Sequence, residues 1–442
     1  MAGFAILIRM TSQSKRFPPP STRLENTASM VRPQVGETPD ERTDPAVVLP
    51  SSISPAQLNA AQNNPAQPQP APVPGDAPRF LPGVRMPSLG ALDSLLEDPE
   101  VTEILVNDLR NVMIEKNGKI SHSGLRIQSI EELNRIVRNI VEVTGRILSV
   151  DQPYIDVMLP DGSRVNIVAP PITLGGPSIT IRRFPVKSLT VPDLLRFGTL
   201  DNRMAHFLQA CIVGRLNLVI SGGTGTGKST LLGALAQWIP PSERLVVIED
   251  TPELRIPHAN SVRLQTKPQM PGSPPITARE LVANSLRMRP DRVIVGECRT
   301  AEAFDMLQAM NTGHEGSMTS IHANNPRDAL ARLETLCMLA ASDLPISAIR
   351  KQIESAVDLV IQIRRFRDGS RRVTSITEVS GMEGETYTTQ DIFVFQTRTD
   401  TENSVSSSMI GSYLATGLVP RLVERLKSEG ITFPPNFFAP TP

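Results

Sequence analysis

The nine residues Gly222-Gly-Thr-Gly-Thr-Gly-Lys-Ser-Thr230 have the types and the order that could hold phosphate. Gly222, Gly227, Lys228 and Ser229 stand at the defining places of a Gly-x4-Gly-Lys-Ser loop. Glycines allow backbone N–H groups to turn inward round an anion, and a helix that starts here adds the positive end of its dipole. Lys228 is then expected to meet the β and γ phosphates, and Ser229 to offer its hydroxyl to Mg²⁺. Gly223, Thr224, Gly225, Thr226 and Thr230 complete the candidate phosphate-contacting set, with ATP and Mg²⁺ as the expected cofactors. A structural glycine-rich turn is the plainer alternative.

Binding phosphate is not cleaving it, so the acidic groups matter next. Val246-Val-Ile-Glu-Asp-Thr-Pro-Glu offers Glu249, Asp250 and Glu253, and Arg289-Pro-Asp-Arg-Val-Ile-Val-Gly-Glu-Cys-Arg offers Glu297. Both segments put acids just after β-branched runs, where open α/β sheets place their ligands. A carboxylate there can orient an attacking water or hold a metal shell. Glu297 is expected to be the water-orienting base, and Glu253 a second acid near the metal, beside Ser229. Gly296 would let the backbone come close to the site. A third cluster, Thr312-Gly-His-Glu-Gly-Ser-Met-Thr-Ser-Ile-His-Ala-Asn, places His314 and His322 on either side of a short strand. Zinc is the obvious alternative for the pair, but no third Cys or His lies near at ligand spacing.

These residues need a frame. Short continuous apolar runs at Leu216 to Ile220, Leu245 to Ile248, Arg292 to Val295 and Leu359 to Ile363 alternate with helical patterns. Such runs predict an α/β domain whose mainly parallel sheet is buried on both faces, a RecA-like P-loop NTPase core, over residues 189–400. Ahead of it, over 86–188, a helix at Glu131 to Thr144 closed by Gly145 sits among alternating strand patterns, and Asn117-Gly118 reads as a hairpin turn. That predicts an α+β domain. Residues 1–85 are rich in Pro, Gln and Ala and are expected to be a disordered tail, with 401–442 as a C-terminal extension.

Composition narrows the field. The chain has 45 basic and 45 acidic residues, one Trp and three Tyr, which favours no stable nucleic-acid partner. Three scattered cysteines indicate neither a disulfide framework nor a zinc ribbon. No apolar run reaches the roughly 18 residues that cross a bilayer. The apolar Ala2 to Ile8 precedes its first Arg, unlike an export signal, and a cytosolic location is expected.

Taken in order, the loop, Ile248-Glu-Asp-Thr-Pro-Glu-Leu, Arg-Pro-Asp-x-x-x-Val-Gly-Glu-x-Arg and Thr-Gly-His-x-Gly-Ser-x-Thr-x-x-His-Ala-Asn resemble the type II/IV secretion-system ATPase family. Asp98-Pro-x-Val-Thr-Glu-Ile-x-Val-Asn, Leu159-Pro-Asp-Gly-Ser-Arg-Val-Asn and Gly381-Met-Glu-Gly-Glu resemble its CpaF/TadA branch, the motors of tight-adherence pili. The resemblance runs from about Leu89 to Gln396. It implies ATP hydrolysis by a hexameric ring, cytoplasmic and peripheral at the bacterial inner membrane, driving an integral-membrane platform protein that assembles or secretes pilin-like subunits. It also implies nucleotide held between the two domains, with Arg164 and Arg182 reaching the phosphates from the N-terminal one, and His314 and His322 sensing the γ-phosphate. Arg183 could equally be a surface ion-pair residue. The chain lacks the cysteines of the tetracysteine zinc insertion found in extension-type relatives, which leaves the conjugation-type secretion branch as an alternative. A ring-shaped nucleic-acid translocase and an ATP-binding switch are the other readings.

Overall fold

A computed structural model describes residues 85–116, 118–184, 188–269, 273–397 and 411–440. The tail expected over 1–85 falls, save for its last residue, outside the described residues, as does Asn117 of the expected turn.

The N-terminal domain runs α1 (Asp93–Glu97), β1 (Val101–Val106), β2 (Val112–Lys116), β3 (Lys119–His122), α2 (Ile130–Thr144), β4 (Tyr154–Met158), β5 (Arg164–Val168) and β6 (Ser178–Arg182). Its strands form one antiparallel sheet in the order β3-β2-β1-β6-β5-β4. The sequence signals are visible in the geometry. Ser129 caps α2 by accepting the Glu132 N–H, and Gly145 ends it at φ +62. Leu133, Ile136, Val137 and Ile140, at helical spacing, are buried in one cluster with Ile104, Val106, Val165, Ile167, Ile179 and Ile181. Each such fully buried aliphatic side chain favours folding by about 1.5–3 kcal/mol, enough to fix which face of the sheet the helix covers.

The second domain continues α3 (Val191–Arg196), α4 (Asn202–Val213), β7 (Leu218–Ser221), α5 (Lys228–Ala236), β8 (Leu245–Glu249), β9 (Ser261–Gln265), α6 (Ala278–Ser285), β10 (Arg292–Val295), α7 (Glu302–Asn311), β11 (Met318–Ile321), α8 (Pro326–Ala340), α9 (Ile346–Ala356), β12 (Leu359–Arg365), β13 (Arg371–Glu383), β14 (Thr386–Thr397), β15 (Gly411–Ala415) and α10 (Leu422–Ser428). Its nine strands lie in the order β15-β14-β13-β12-β7-β11-β10-β8-β9. The six from β12 to β9 are parallel. Successive residues of these strands go to opposite cores: Leu218 and Ile220 pack with residues of α4 and α5, and Val219 with residues of α7, α8 and α9. Burial on both faces is why the runs are continuously apolar.

The sheet is mainly parallel, as expected, with three antiparallel strands, β13 to β15, at one side, and the region expected as a C-terminal extension supplies β15 and α10 to this same domain. The cause is aromatic packing. Phe433, Phe437 and Phe438 meet Phe207 and Phe393, with Phe207 and Phe438 edge-on at 5.8 Å between centroids. Among the described residues no helix is long and apolar enough to cross a membrane, and no cluster of His, Cys, Asp and Glu is built to hold a metal unaided.

Candidate functional site

Parallel strands deliver their carboxyl ends to one edge. Ile321 is in register with Ser221, and Val295 with Ile248, so the segments that follow β7, β8, β10 and β11 converge. The loop after β7 turns through Gly225 at φ +68 and Gly227 at φ +97, then enters α5 at Lys228. Gly222 admits no side chain, because a Cβ would lie 2.5 Å from the Ile363 carbonyl oxygen and 2.7 Å from Thr226 Oγ1. Thr226 is buried and its hydroxyl donates to the Gly223 carbonyl at 2.9 Å, while Thr224 and Thr230 are exposed at the rim.

Lys228 folds back over the loop, its Nζ 3.1 Å from the Gly223 carbonyl and 3.8 Å from Glu297 Oε1. Burial holds its ammonium below the ordinary lysine pKa, with Glu297 opposing that shift and Arg299 adding to it. Ser229 Oγ donates to Glu253 Oε2 at 2.8 Å, so proline at 252 leaves Glu253 within reach of the loop. Two hard oxygen donors at this separation, on a helix start that favours phosphate, fit Mg²⁺.

Glu249 borders the same groove but is engaged by its own turn. Burial raises its pKa, and its Oε1 accepts the Glu253 and Leu254 N–H groups at 2.7 and 2.8 Å, folding the acidic turn that presents Glu253. Gly296 makes room for it, since a Cβ there would stand 3.1 Å from Glu249 Cγ. Glu297 Oε2 accepts both Nε and Nη2 of Arg299, at 3.1 and 2.8 Å. Arg299 also lies 3.6 Å from Asp250.

Both arginines expected from the N-terminal domain come to this edge. Arg182 sits between Glu103 of its own sheet, at 3.6 Å, and Glu253, at 3.5 Å. Arg164 pairs with Asp156 at 3.6 Å and lines a groove with Ser229, Glu253, Gly296, Glu297 and Arg299. Arg183 serves its own domain, donating to the carbonyls of Val101 and Asp98.

The histidines part company. His322 follows β11 at the loop edge, where burial and then the Lys228 charge lower its pKa. His314 precedes β11 at the other end of the sheet, about 13 Å of strand away. There its Nδ1 is buried without a partner, and its carbonyl accepts the Ser317 hydroxyl. A γ-phosphate role for His314 within one chain is therefore corrected: a four-residue strand separates the two imidazoles.

Three further cations, Arg299, Arg365 and Arg371, make contacts at or near this loop or its acids. Arg299 had a signal, its place two residues after Glu297. Arg365 and Arg371 had none, because their partners are more than a hundred residues away in the chain.

The family model described as type II/IV secretion system protein matches residues 87–401. An uncharacterized protein of Methanocaldococcus jannaschii is 41% identical over 239 residues, which are 52% of this chain and 33% of that one, so the chain spans about a third of that relative. A putative conjugal transfer protein of Mycobacterium tuberculosis is 33% identical over 67% of this chain and 85% of its own length. Among solved structures, the VirB11 ATPase of the Brucella suis type IV secretion system aligns with a TM-score of 0.36 and 30% identity, over 65% of this chain and 92% of that one.

Proposed function

This chain belongs to the type II/IV secretion system protein family, and from that premise we propose that it is an ATP-hydrolysing motor, a ring-forming homo-oligomer, hexameric, that drives protein transport at the cytoplasmic face of a bacterial inner membrane. The observation that carries the reading is the convergence of Lys228, Ser229, Glu253 and Glu297 at one sheet edge with Arg182 from the other domain. The loop N–H groups and Lys228 bind the phosphates. Ser229 and Glu253 would hold Mg²⁺, which supplies charge neutralisation at the transferring phosphoryl group. Glu297 orients the attacking water, and Arg299, on its other oxygen, keeps the carboxylate aimed. His322, neutral by burial, is a hydrogen-bonding contact for the γ-phosphate or the water. Arg182 and Arg164 stabilise the developing charge only when the two domains close, which ties hydrolysis to movement.

The finer reading is the CpaF/TadA branch, with an inner-membrane platform protein as partner, supported by the Asp98 to Asn107, Leu159 to Asn166 and Gly381 to Glu385 segments. A conjugation-type secretion motor is the second reading, favoured by the mycobacterial relative named for conjugal transfer. Either is a protein-transport motor. Phosphate release measured with and without single- and double-stranded DNA tests this: turnover indifferent to DNA is expected, and strong stimulation would favour a nucleic-acid translocase instead.

A further inference from the structure

Arg365 ends β12 and Arg371 opens β13, and the two face one another across that hairpin. Neither belongs to a motif that suggested the site. Arg371 Nε donates to the Gly225 carbonyl at 3.1 Å, and its side chain lies over Gly227, where a Cβ would stand 3.2 Å from Arg371 Cδ. Arg365 Nη2 pairs with Glu115 Oε1 at 3.1 Å and donates to the Gly118 carbonyl. Glu115 is only 8% exposed, and its other oxygen accepts the Thr102 hydroxyl at 3.1 Å. Gly118 also touches the second arginine: a Cβ there would stand 3.4 Å from Arg371 Nη1. A continuous path thus joins β2 and the turn after it, in the N-terminal domain, to the crown of the phosphate loop.

A trans peptide is planar, with its C=O and N–H on opposite sides. A cation held on the Gly225 carbonyl therefore fixes the Thr226 N–H, which points the opposite way in the same plane, and polarises it as a donor. Arg365 and Arg371 have Glu115 as the carboxylate beside them, while Arg182 is paired with Glu103 and Glu253, so the facing arginines carry positive charge that a polyphosphate would offset.

Resting on the reading of the loop as a nucleotide site, we propose that Arg371 is a positioning residue for the phosphate loop, and that Arg365 with Glu115 carries the loop's nucleotide state to the β2–β3 hairpin of the N-terminal domain. A charge-assisted hydrogen bond on the loop sets the scale, so Arg371→Ala should raise KM for ATP about tenfold with a much smaller change in kcat. Arg371→Lys should recover part of the loss. In hydrogen exchange on the full chain, ATP should slow the amides of Val112–Lys116 and Lys119–His122 in the parent. It should not do so in Glu115→Gln, which is nearly isosteric and guards against misfolding in Arg365→Ala. Binding of a fluorescent ATP analogue, read separately, should persist in Glu115→Gln. An unchanged KM in Arg371→Ala overturns the positioning role, and a hairpin response in Glu115→Gln equal to the parent's overturns the relay. A parent chain that binds no analogue overturns the nucleotide site itself and the relay with it.

Discussion

At the scale of single residues the site is a set of charges held apart by geometry. Lys228 and Glu297 stand 3.8 Å apart, close enough for mutual attraction. Glu297, Glu253, Lys228 and Ser229 were legible because their spacing after apolar runs is set by strand ends. Arg164 and Arg182 were singled out only through family likeness, since no local pattern distinguishes an arginine at this groove from one in any other surface ion pair. His314 was misplaced although the two histidines were read on either side of a short strand, because the two ends of a buried parallel strand open on opposite edges of the sheet and only the carboxyl end faces the loop. Two predictions belong here. Arg182→Ala should lower kcat about tenfold or more while changing KM less, as expected for a charge delivered from a mobile domain; a kcat equal to the parent's would remove Arg182 from the chemistry. His322 has a folded pKa below its ordinary 6.5, so its imidazole stays neutral as pH falls through that value. The acid limb of the kcat profile should therefore lie below pH 6.5 and be absent in His322→Asn, and a limb centred at or above 6.5 would contradict this.

At the scale of elements, function rests on parallel register. Because β7, β8, β10 and β11 run the same way, one edge collects a phosphate loop, two acids and a histidine. The continuously apolar runs revealed this sheet. The antiparallel strands β13 and β14 were not legible, because their mixed burial along 13 and 12 residues follows neither a clean alternation nor a continuous run. The acidic turn after β8 was half legible: Glu249 looked like a catalytic candidate, and only its buried hydrogen bonds to Glu253 N and Leu254 N mark it as the group that shapes the turn. Gly222→Ala probes this scale. Its methyl would strike the Ile363 carbonyl, forcing a backbone shift that should cost about 1–3 kcal/mol and weaken ATP binding at least about tenfold. Thermal melting and analogue titration measure the two, and wild-type binding would show that the loop tolerates the shift.

At the scale of the whole molecule, Arg164 and Arg182 of the first sheet come to the groove beside the loop of the second. Arg182 on Glu253 and Arg365 on Glu115 are ionic contacts, among the described residues, that join the α+β domain to the sheet edge. The bipartite plan was visible in the change of pattern after Thr190, but which faces meet was not, since Glu115 and Arg365 are separated by 250 residues. In sedimentation with ATP, the full chain of 48.2 kDa should assemble to six copies, and a persistent monomer at micromolar concentration would argue against the ring. The central claim is that this edge hydrolyses ATP with Glu297 as the group that orients water. It is tested most directly by single-turnover phosphate release from the parent and from Glu297→Gln, with analogue binding measured alongside. Binding should be unchanged and release should fall about a hundredfold or more. Release from Glu297→Gln at the parental rate would contradict it.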